Sequence, residues 1–342
     1  MVTDAILGLL FFLRLCPYPD IVFLAQYGKL IFKLSEFVFC HKMGRPRKKN
    51  IIVDPSTISS RLSKVEVIKN WANGLYEVHP ELWIPHAVGE TLDPWQERVV
   101  RKLFLGEKHK TTLRCGHGTG KTYLASRISV QFLMTHTPSI VIATGPTGKQ
   151  TRGQYWSQVI TAVQKSVFAD DIECLATRIF IKGKSQEEWK IMWVTSKDPK
   201  TIEGFHGPDE GKNLLWLIEE AKAVADPVFE ALSGALSHEK NFLYMSSTCG
   251  PPRGHFFDSH TRLRHLYDTE HVPSTESSRV SKEKIKTWKE QWGEDSPVFR
   301  ARVLAEFPEE DDSAIASLSW LLRATENYDD TYSDDYEDEE AA

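Results

Sequence analysis

The chain has 342 residues, of which 41% are hydrophobic and 26% are charged, so it can bury one large core or two modest ones. Its net charge of −5 is uneven, because residues 327–342 carry eight acidic residues without Lys or Arg, which leaves the remainder at about +3. This balance excludes a nucleic-acid-binding signature over the whole chain, and the spacing of the five cysteines excludes a disulfide framework or a cysteine metal site.

Residues 1–42 form a hydrophobic N-terminal extension of uncertain status. Residues 5–15 are nearly all apolar but too few to span a bilayer, and residues 21–40 are interrupted by charged side chains. The first residues are not basic and no small-residue cleavage site follows, which argues against a signal peptide. The interpretations are an amphipathic helix pair, a membrane-surface anchor, or translated sequence upstream of the real start at Met43. We favour the last.

Residues 43–90 are predicted to be a basic N-terminal arm and lead-in. The cluster Arg45-Pro-Arg-Lys-Lys49 could contact DNA phosphates or a minor groove, but such runs are more often solvated tails. We favour the tail.

Residues 91–308 alternate between strand and helix patterns. The strands are predicted at 111–114, 139–144, 179–182, 189–194, 214–218 and 242–247. The helices are predicted at 95–105, 121–135, 152–164, 226–236, 282–292 and 296–304. This alternation is typical of an α/β fold with a mostly parallel central sheet and helices on both faces. Residues 309–326 are predicted to be a linker, and residues 327–342 a disordered acidic tail.

The segment Cys115-Gly-His-Gly-Thr-Gly-Lys-Thr122 lies between a predicted strand and a predicted helix, which is the arrangement of a P-loop (Walker A). The loop backbone would wrap a phosphate chain, Lys121 would reach the β- and γ-phosphates, and the Thr122 hydroxyl would hold Mg²⁺. The P-loop pattern places glycine where this chain has Cys115. The predicted nucleotide-binding residues of the loop are Gly116, His117, Gly118, Thr119, Gly120, Lys121 and Thr122. The fold class is thus predicted to be a P-loop NTPase.

The apolar run 214–218 ends in Glu219-Glu220, which predicts a buried strand that delivers two carboxylates at its tip. We assign Glu219 to the metal and Glu220 to catalysis through the attacking water, with Lys121 as the second catalytic residue. We expect this strand to neighbour the P-loop strand. The alternative is a strand that ends in solvated carboxylates beside a helix N-terminus.

Three hydroxyls, on Ser246, Ser247 and Thr248, end another apolar strand. They could sense the γ-phosphate and couple its loss to motion, or they could cap the strand end.

Gln96, about a helix length before the P-loop, carries a donor and an acceptor that suit the edge of adenine.

Two further groups of residues are predicted without a unique assignment. The loop 145–150 resembles a second phosphate loop but lacks Ser or Thr after Lys149, so it is interpreted as a strand-end loop that could face DNA phosphates or only solvent. Three arginines could stabilise the transferring phosphate, and the sequence does not choose among them: Arg114, Arg152 and Arg253.

Together these segments resemble the ATPase domain of the large terminase subunit of tailed bacteriophages, the motor that packages DNA into the prohead. The resemblance depends on the order of seven segments: Asp93-Pro-Trp-Gln96, Gly116-His-Gly-Thr-Gly-Lys-Thr122, Val141-Ile-Ala-Thr-Gly-Pro-Thr147, Gly204-Phe-His-Gly207, Leu217-Ile-Glu-Glu-Ala221, Ser246-Ser-Thr248 and Arg302-Val-Leu-Ala-Glu-Phe-Pro308. Glu219 departs from the family pattern, which has Asp there.

The resemblance implies an ATPase with ATP and Mg as cofactors, acting in the cytoplasm of the bacterial host without membrane association. It also implies several partners: double-stranded DNA, the portal protein, the small terminase subunit and further copies of the chain in a ring.

Large terminase subunits usually continue into a ribonuclease H-like nuclease, and only about twenty residues follow Arg323 here. We therefore expect no nuclease activity from this chain and a separate nuclease polypeptide as a possible partner. The alternatives are another DNA-directed P-loop ATPase of helicase type, or a degenerate nucleotide-binding remnant of a split or truncated terminase.

Overall fold

The computed structural model describes residues 60–147, 151–195, 213–238 and 241–308, except for the side chains of residues 151 and 152. Several sequence predictions lie outside these residues: the extension 1–42, the basic cluster 45–49, the loop residues 148–150, the side chain of Arg152, the segment 204–207, the linker 309–326 and the acidic tail 327–342.

A helical region that the sequence patterns did not predict precedes the sheet. It consists of α1 (Lys64–Ala72), α2 (Leu75–Val78), a short 3-10 turn (Pro80–Leu82) and α3 (Trp83–Val88). Ser63 and Glu66 cap α1 reciprocally, since each side chain bonds the other residue's backbone N–H. Every residue of α3 is buried, so α3 is part of the core, whereas in α1 only Val67 is buried.

Eight strands form one sheet among the described residues, and its spatial order is β3-β4-β5-β2-β6-β7-β1-β8. In chain order the strands are β1 (Lys110–Cys115), β2 (Ser139–Gly145), β3 (Ile172–Cys174), β4 (Arg178–Ile181), β5 (Lys190–Thr195), β6 (Asn213–Glu219), β7 (Asn241–Ser247) and β8 (Asp268–Val272). All neighbouring pairs from β5 to β8 are parallel, and β4 runs antiparallel to both β5 and β3. The predicted mostly parallel sheet is confirmed.

The order of the strands corrects one sequence expectation. β6, which carries Glu219, does not neighbour the P-loop strand β1, because β7 lies between them. Glu219 is paired in register with Ser246, and Arg114 with Ser247. The carboxyl ends of all three strands therefore meet at one edge of the sheet.

The remaining helices are α4 (Pro94–Leu105), α5 (Lys121–Thr135), α6 (Ser157–Lys165), α7 (Asp226–Ala235), α8 (His255–His260), α9 (Lys282–Trp292) and α10 (Pro297–Phe299). Of these, α4 precedes β1 and the others lie between or after the strands. Two predicted helices begin or end in wider π-helical turns, at Thr151–Trp156 and Arg300–Leu304. Such turns interrupt regular α-helical bonding and are frequent near functional sites.

Two helical layers cover the sheet. On one face, Leu214, Trp216 and Ile218 of β6 join a buried cluster with Phe229 and Leu232 of α7. Because strand side chains alternate, the other residues of β6 point to the opposite face, where α5 contacts β2, β6 and β7. Both faces of β6 are buried, which explains its uninterrupted apolar sequence.

Candidate active site

The loop between β1 and α5 has a backbone that only glycine adopts easily at two points. Gly118 has φ 74° and Gly120 has φ 95°, both in the left-handed region. Gly116 is required for a different reason, since a Cβ there would lie 2.2 Å from Ser274 Oγ and 2.8 Å from the Val303 carbonyl oxygen. The two left-handed glycines and the close approach at Gly116 shape the turn that leads into the N-terminus of α5, the position at which anions bind helices.

A distant segment, residues 272–304, holds this loop from outside, and we call it the brace. The Gly116 N–H donates to the Val272 carbonyl at 2.9 Å, and the His117 N–H donates to the Arg302 carbonyl at 2.6 Å. The Ser274 hydroxyl donates to the His117 carbonyl at 3.0 Å. The shape of the loop therefore depends on a segment more than 150 residues away along the chain.

Cys115, which replaces the usual glycine, is the last residue of β1. It is fully buried, its backbone has no positive φ, and its thiol lies 3.7 Å from the Ser247 carbonyl oxygen. Burial raises the pKa of the Cys115 thiol to about 11, and burial together with the Lys121 cation lowers the pKa of His117. Glycine is not needed at position 115, and the loop's positive charge is that of Lys121.

Lys121 and Glu220 form an ion pair, with the Nζ and Oε1 atoms 2.8 Å apart. Glu220 lies just past the end of β6 with φ 54° and ψ 47°, a left-handed conformation that is uncommon for residues other than glycine. The Ser247 hydroxyl lies 3.4 Å from the other carboxylate oxygen of Glu220. This conformation turns the carboxylate from the sheet toward the P-loop.

Glu219 lies deeper, where its side chain is only 6% exposed. It accepts hydrogen bonds from the Thr122 hydroxyl at 2.7 Å and from the Ser246 hydroxyl at 2.9 Å. Burial raises its pKa, against the opposing effect of these two donors and of Lys121. The Thr122 hydroxyl and the Glu219 carboxylate supply oxygens close enough together to share one Mg²⁺, which prefers oxygen ligands and completes its shell with water and phosphate.

Lys222 connects the turn after β6 to the residues that follow β7. Its ammonium donates to the Thr248 hydroxyl at 2.7 Å and to the Cys249 carbonyl at 3.2 Å, and burial lowers its pKa. Each of the three predicted coupling residues thus contacts the segment 219–222: Ser246 contacts Glu219, Ser247 contacts Glu220, and Thr248 contacts Lys222. The sequence did not single out Lys222.

A cleft of about 270 Å³ opens beside these carboxylates. Its lining residues include the predicted Thr122, Glu219 and Glu220, together with residues that were not predicted as site residues: Gly145, Pro146, Gln154 and Tyr155. The available signal for Gly145 and Pro146 was their position at the carboxyl end of β2, since β2 pairs with β6 and ends at the same edge. Gln154 and Tyr155 lie on a π-helical turn that has no recognisable sequence signature.

Gln96 lies on the outer side of the loop, fully buried. Its Oε1 accepts the Asp93 N–H at 2.9 Å and so caps α4, which leaves the amide nitrogen to bind a ligand. That nitrogen is buried without a hydrogen-bond partner among the described residues, 3.5 Å from where a Cβ on Gly120 would lie. Gln96 can therefore donate to a base, whereas the acceptor that the sequence prediction also invoked is already engaged.

The three predicted arginines keep their role as candidates, without a choice among them. The Arg114 guanidinium lies 5.6 Å from the ring centroid of Phe307. Arg253 is exposed in the segment after β7, and the side chain of Arg152 lies outside the description. Arg279, which the sequence did not indicate, lies beside Gly120.

The described residues contain no group of three or more His, Cys, Asp and Glu residues that could hold a metal ion. Within the same ranges, none of the helices has the length and apolar character needed to cross a membrane.

Comparison with known proteins agrees with the sequence resemblance. No protein-family model matches the chain. A probable terminase large subunit of Enterobacteria phage P7 is 27% identical over 243 residues, which cover 68% of this chain and 49% of that protein. The chain thus spans about half the length of the curated relative that it matches.

Solved structures are similar at the level of the fold. The ATPase domain of the large terminase of Thermus phage P74-26, in a variant form, matches with a TM-score of 0.52 and 16% identity over 64% of this chain and 96% of that chain. The large terminase of a thermophilic bacteriophage in complex with ADP matches with a TM-score of 0.51 and 13% identity, over 64% of this chain and 54% of that one. The resemblance to large terminase subunits and the P-loop NTPase fold are both confirmed.

Proposed function

We propose that this chain is the ATPase motor of phage DNA packaging, a terminase large subunit that hydrolyses ATP with Mg²⁺ and translocates double-stranded DNA into the prohead. One observation carries the proposal. Lys121 and Thr122 of the P-loop contact Glu220 and Glu219, which follow a separate strand, so phosphate-binding and water-activating groups meet at one sheet edge. The similarity to terminase large subunits and their ATPase domains supports the proposal that ATP hydrolysis drives DNA packaging.

In this mechanism the phosphates of ATP compete with Glu220 for Lys121. The Lys121 ammonium, which lies 2.8 Å from Glu220 in this structure, would leave this ion pair and bind the β- and γ-phosphates. The freed Glu220 carboxylate would then orient the attacking water. Mg²⁺, held by Thr122 and Glu219, would neutralise charge on the phosphate oxygens. The Ser246 bond to Glu219 fixes that carboxylate for this purpose.

The same contacts suggest how hydrolysis is transmitted. Ser246, Ser247 and Thr248 contact Glu219, Glu220 and Lys222 respectively, so a shift of the carboxylates on phosphate release would act on the end of β7. The segment after β7 would then move relative to the sheet. We propose double-stranded DNA, the portal protein, the small terminase subunit, a ring of further copies and a separate nuclease polypeptide as the partners of this motion, in the bacterial cytoplasm.

DNA-stimulated ATPase activity of the full chain tests the proposal. We expect Lys121→Ala to lose both ATP binding and turnover, and Glu220→Gln to keep ATP binding while turnover falls at least 100-fold. Glu290→Gln, at an exposed position on α9, is the matched control and should behave like the unmutated chain. ATP binding without turnover in the unmutated chain would instead indicate a nucleotide-binding remnant, and turnover with unwinding of a duplex would indicate a helicase.

A further inference from the structure

Arg279 belongs to the brace and lies against the P-loop at Gly120. Its Cδ and Nε atoms lie 2.9 and 3.0 Å from where a Cβ on Gly120 would be placed. The unpartnered amide nitrogen of Gln96 lies 3.5 Å from the same point. An arginine and an unused amide donor therefore flank Gly120 together.

The guanidinium of Arg279 is stacked on an aromatic ring. Its central carbon lies 3.8 Å from the ring centroid of Tyr123, and the Arg127 guanidinium lies at the same distance from that centroid. Two groups this close to one centroid must occupy opposite faces of the ring. Tyr123 is thus held between a buried arginine and an exposed one.

The two arginines differ in how their charges are balanced. Arg127 is 1% exposed and forms two bonds with the Glu90 carboxylate, at 2.7 and 3.0 Å. Arg279 is exposed, and within the described ranges no carboxylate forms an ion pair with it. The outer face of its guanidinium is therefore available to a ligand.

The backbone that carries Arg279 is fixed to the helix that carries Gln96. Asp93, at the start of α4, accepts hydrogen bonds from the Ser278 hydroxyl at 2.6 Å and from the Ser278 N–H at 3.2 Å. The Ser277 hydroxyl lies 3.2 Å from both the Thr119 carbonyl and the N–H of Arg279. Arg279 is thus positioned in advance of any ligand, which lowers the entropy lost on binding.

We propose that the exposed face of the Arg279 guanidinium receives the base of the nucleotide, completing a stack with Tyr123, while the Gln96 amide donates to the edge of the base. A guanidinium is planar and weakly hydrated, so it stacks on an aromatic ring far better than a lysine ammonium does. The inference rests on the proposed ATPase function and identifies a base-binding residue of that site.

Affinities of the full chain for Mg-ATP and for tripolyphosphate, which has no base, test this assignment. We expect Arg279→Ala and Arg279→Lys each to weaken ATP binding about tenfold and to leave tripolyphosphate binding unchanged. Arg262→Ala removes an exposed arginine on another surface and should change neither affinity.

Three results would overturn the assignment: unchanged ATP affinity in Arg279→Ala, equal weakening of both ligands, or full recovery of ATP affinity in Arg279→Lys. The last two would make Arg279 a charge partner of the phosphates. If the unmutated chain binds neither ligand, the proposed function fails as well. If it binds ATP no more tightly than tripolyphosphate, only the base-binding role of Arg279 fails.

Discussion

Two regions of different character hold the P-loop. On one side, the ends of β6 and β7 contribute ionisable and hydroxyl side chains, and each of them contacts another functional group. On the other side, the brace contributes mainly backbone carbonyls and small hydroxyls that bond the loop backbone. On the proposed function, the first region supplies the reacting groups, whereas the second sets the loop's shape through close approach. Variants on the two sides should consequently fail in different ways.

The largest effect is expected at Gly116, where the brace approaches most closely. In Gly116→Ala the new Cβ would clash with the Ser274 hydroxyl and with the backbone of Ser274 and Val303. We expect ATP affinity to fall more than tenfold and the free energy of unfolding to drop by about 1–3 kcal/mol, measured by calorimetry and urea unfolding.

Gly234→Ala on α7 is the matched control for Gly116→Ala, because a Cβ there meets no atom within 4 Å. It should leave both quantities unchanged or raise stability slightly. If the double variant Gly116→Ala with Ser274→Ala binds ATP normally, the backbone of the brace does not limit the loop.

The chemical side is tested at Ser246. Ser246→Ala removes a donor to the buried Glu219 carboxylate, so we expect a loss of about 1–3 kcal/mol in stability and a clear fall in turnover. Ser247→Ala removes a contact of 3.4 Å to Glu220 and should have a much smaller effect on both. Equal effects of the two variants would show that β7 acts only as a packed strand.

The strands that carry the polar residues at the ends of β6 and β7 could be predicted from the sequence, whereas the brace could hardly be predicted at all. β6 and β7 are apolar runs that end in polar motifs, and β1 directly precedes the recognisable P-loop, so the ends of these three strands could be located from the sequence. β8 reads Asp-Thr-Glu-His-Val and has no apolar run by which it could have been predicted. Its charged Glu270 is accommodated in the strand by ion pairs with Arg98 and Lys102 of α4. The bonds of the brace are made largely by its backbone, and backbone bonds leave no signature in residue types.

The order of the strands in the sheet could not be predicted from the sequence either. An apolar run such as 214–218 predicts a buried strand, but nothing in it states which strand will be its neighbour. Similarly, Asp93 and Gln96 were recognisable as a motif, whereas the contact of Asp93 with Ser278 joins parts of the chain that are 185 residues apart.

Helix α5 joins the two regions. The ion pairs of Glu90, one of which is made by Arg127 of this helix, can be tested by measuring stability as a function of pH. Arg127 and Lys165 both bond the Glu90 carboxylate and, against the opposing effect of burial, lower its pKa to about 2. The stabilisation is therefore complete above about pH 4.5 and is lost as the pH falls toward 2.

We expect Glu90→Gln to lower the free energy of unfolding by about 1–2 kcal/mol at pH 7, a value reduced for partial solvent screening. The difference from the unmutated chain, followed by urea unfolding, should shrink as the pH falls from about 4.5 to 2. A difference that stays constant over this range would assign the effect to packing rather than charge.

The smallest effect is expected at Cys115. Because its thiol is buried and its backbone is that of an ordinary strand, Cys115→Ala should lower stability by about 1 kcal/mol and leave ATP turnover unchanged. A large loss of turnover would instead show that Cys115 contributes to hydrolysis and not only to packing. Steady-state ATPase assays beside thermal unfolding separate the two outcomes.

The left-handed backbone of Glu220 has a consequence for how this protein could diverge. A residue with a Cβ held at φ 54° destabilises the fold by roughly 1–3 kcal/mol, and glycine at the same place would relieve that strain. Stability alone therefore favours glycine at this position. On the proposed function, turnover requires the Glu220 carboxylate, and glycine at the same place in a related chain would mark the loss of that role.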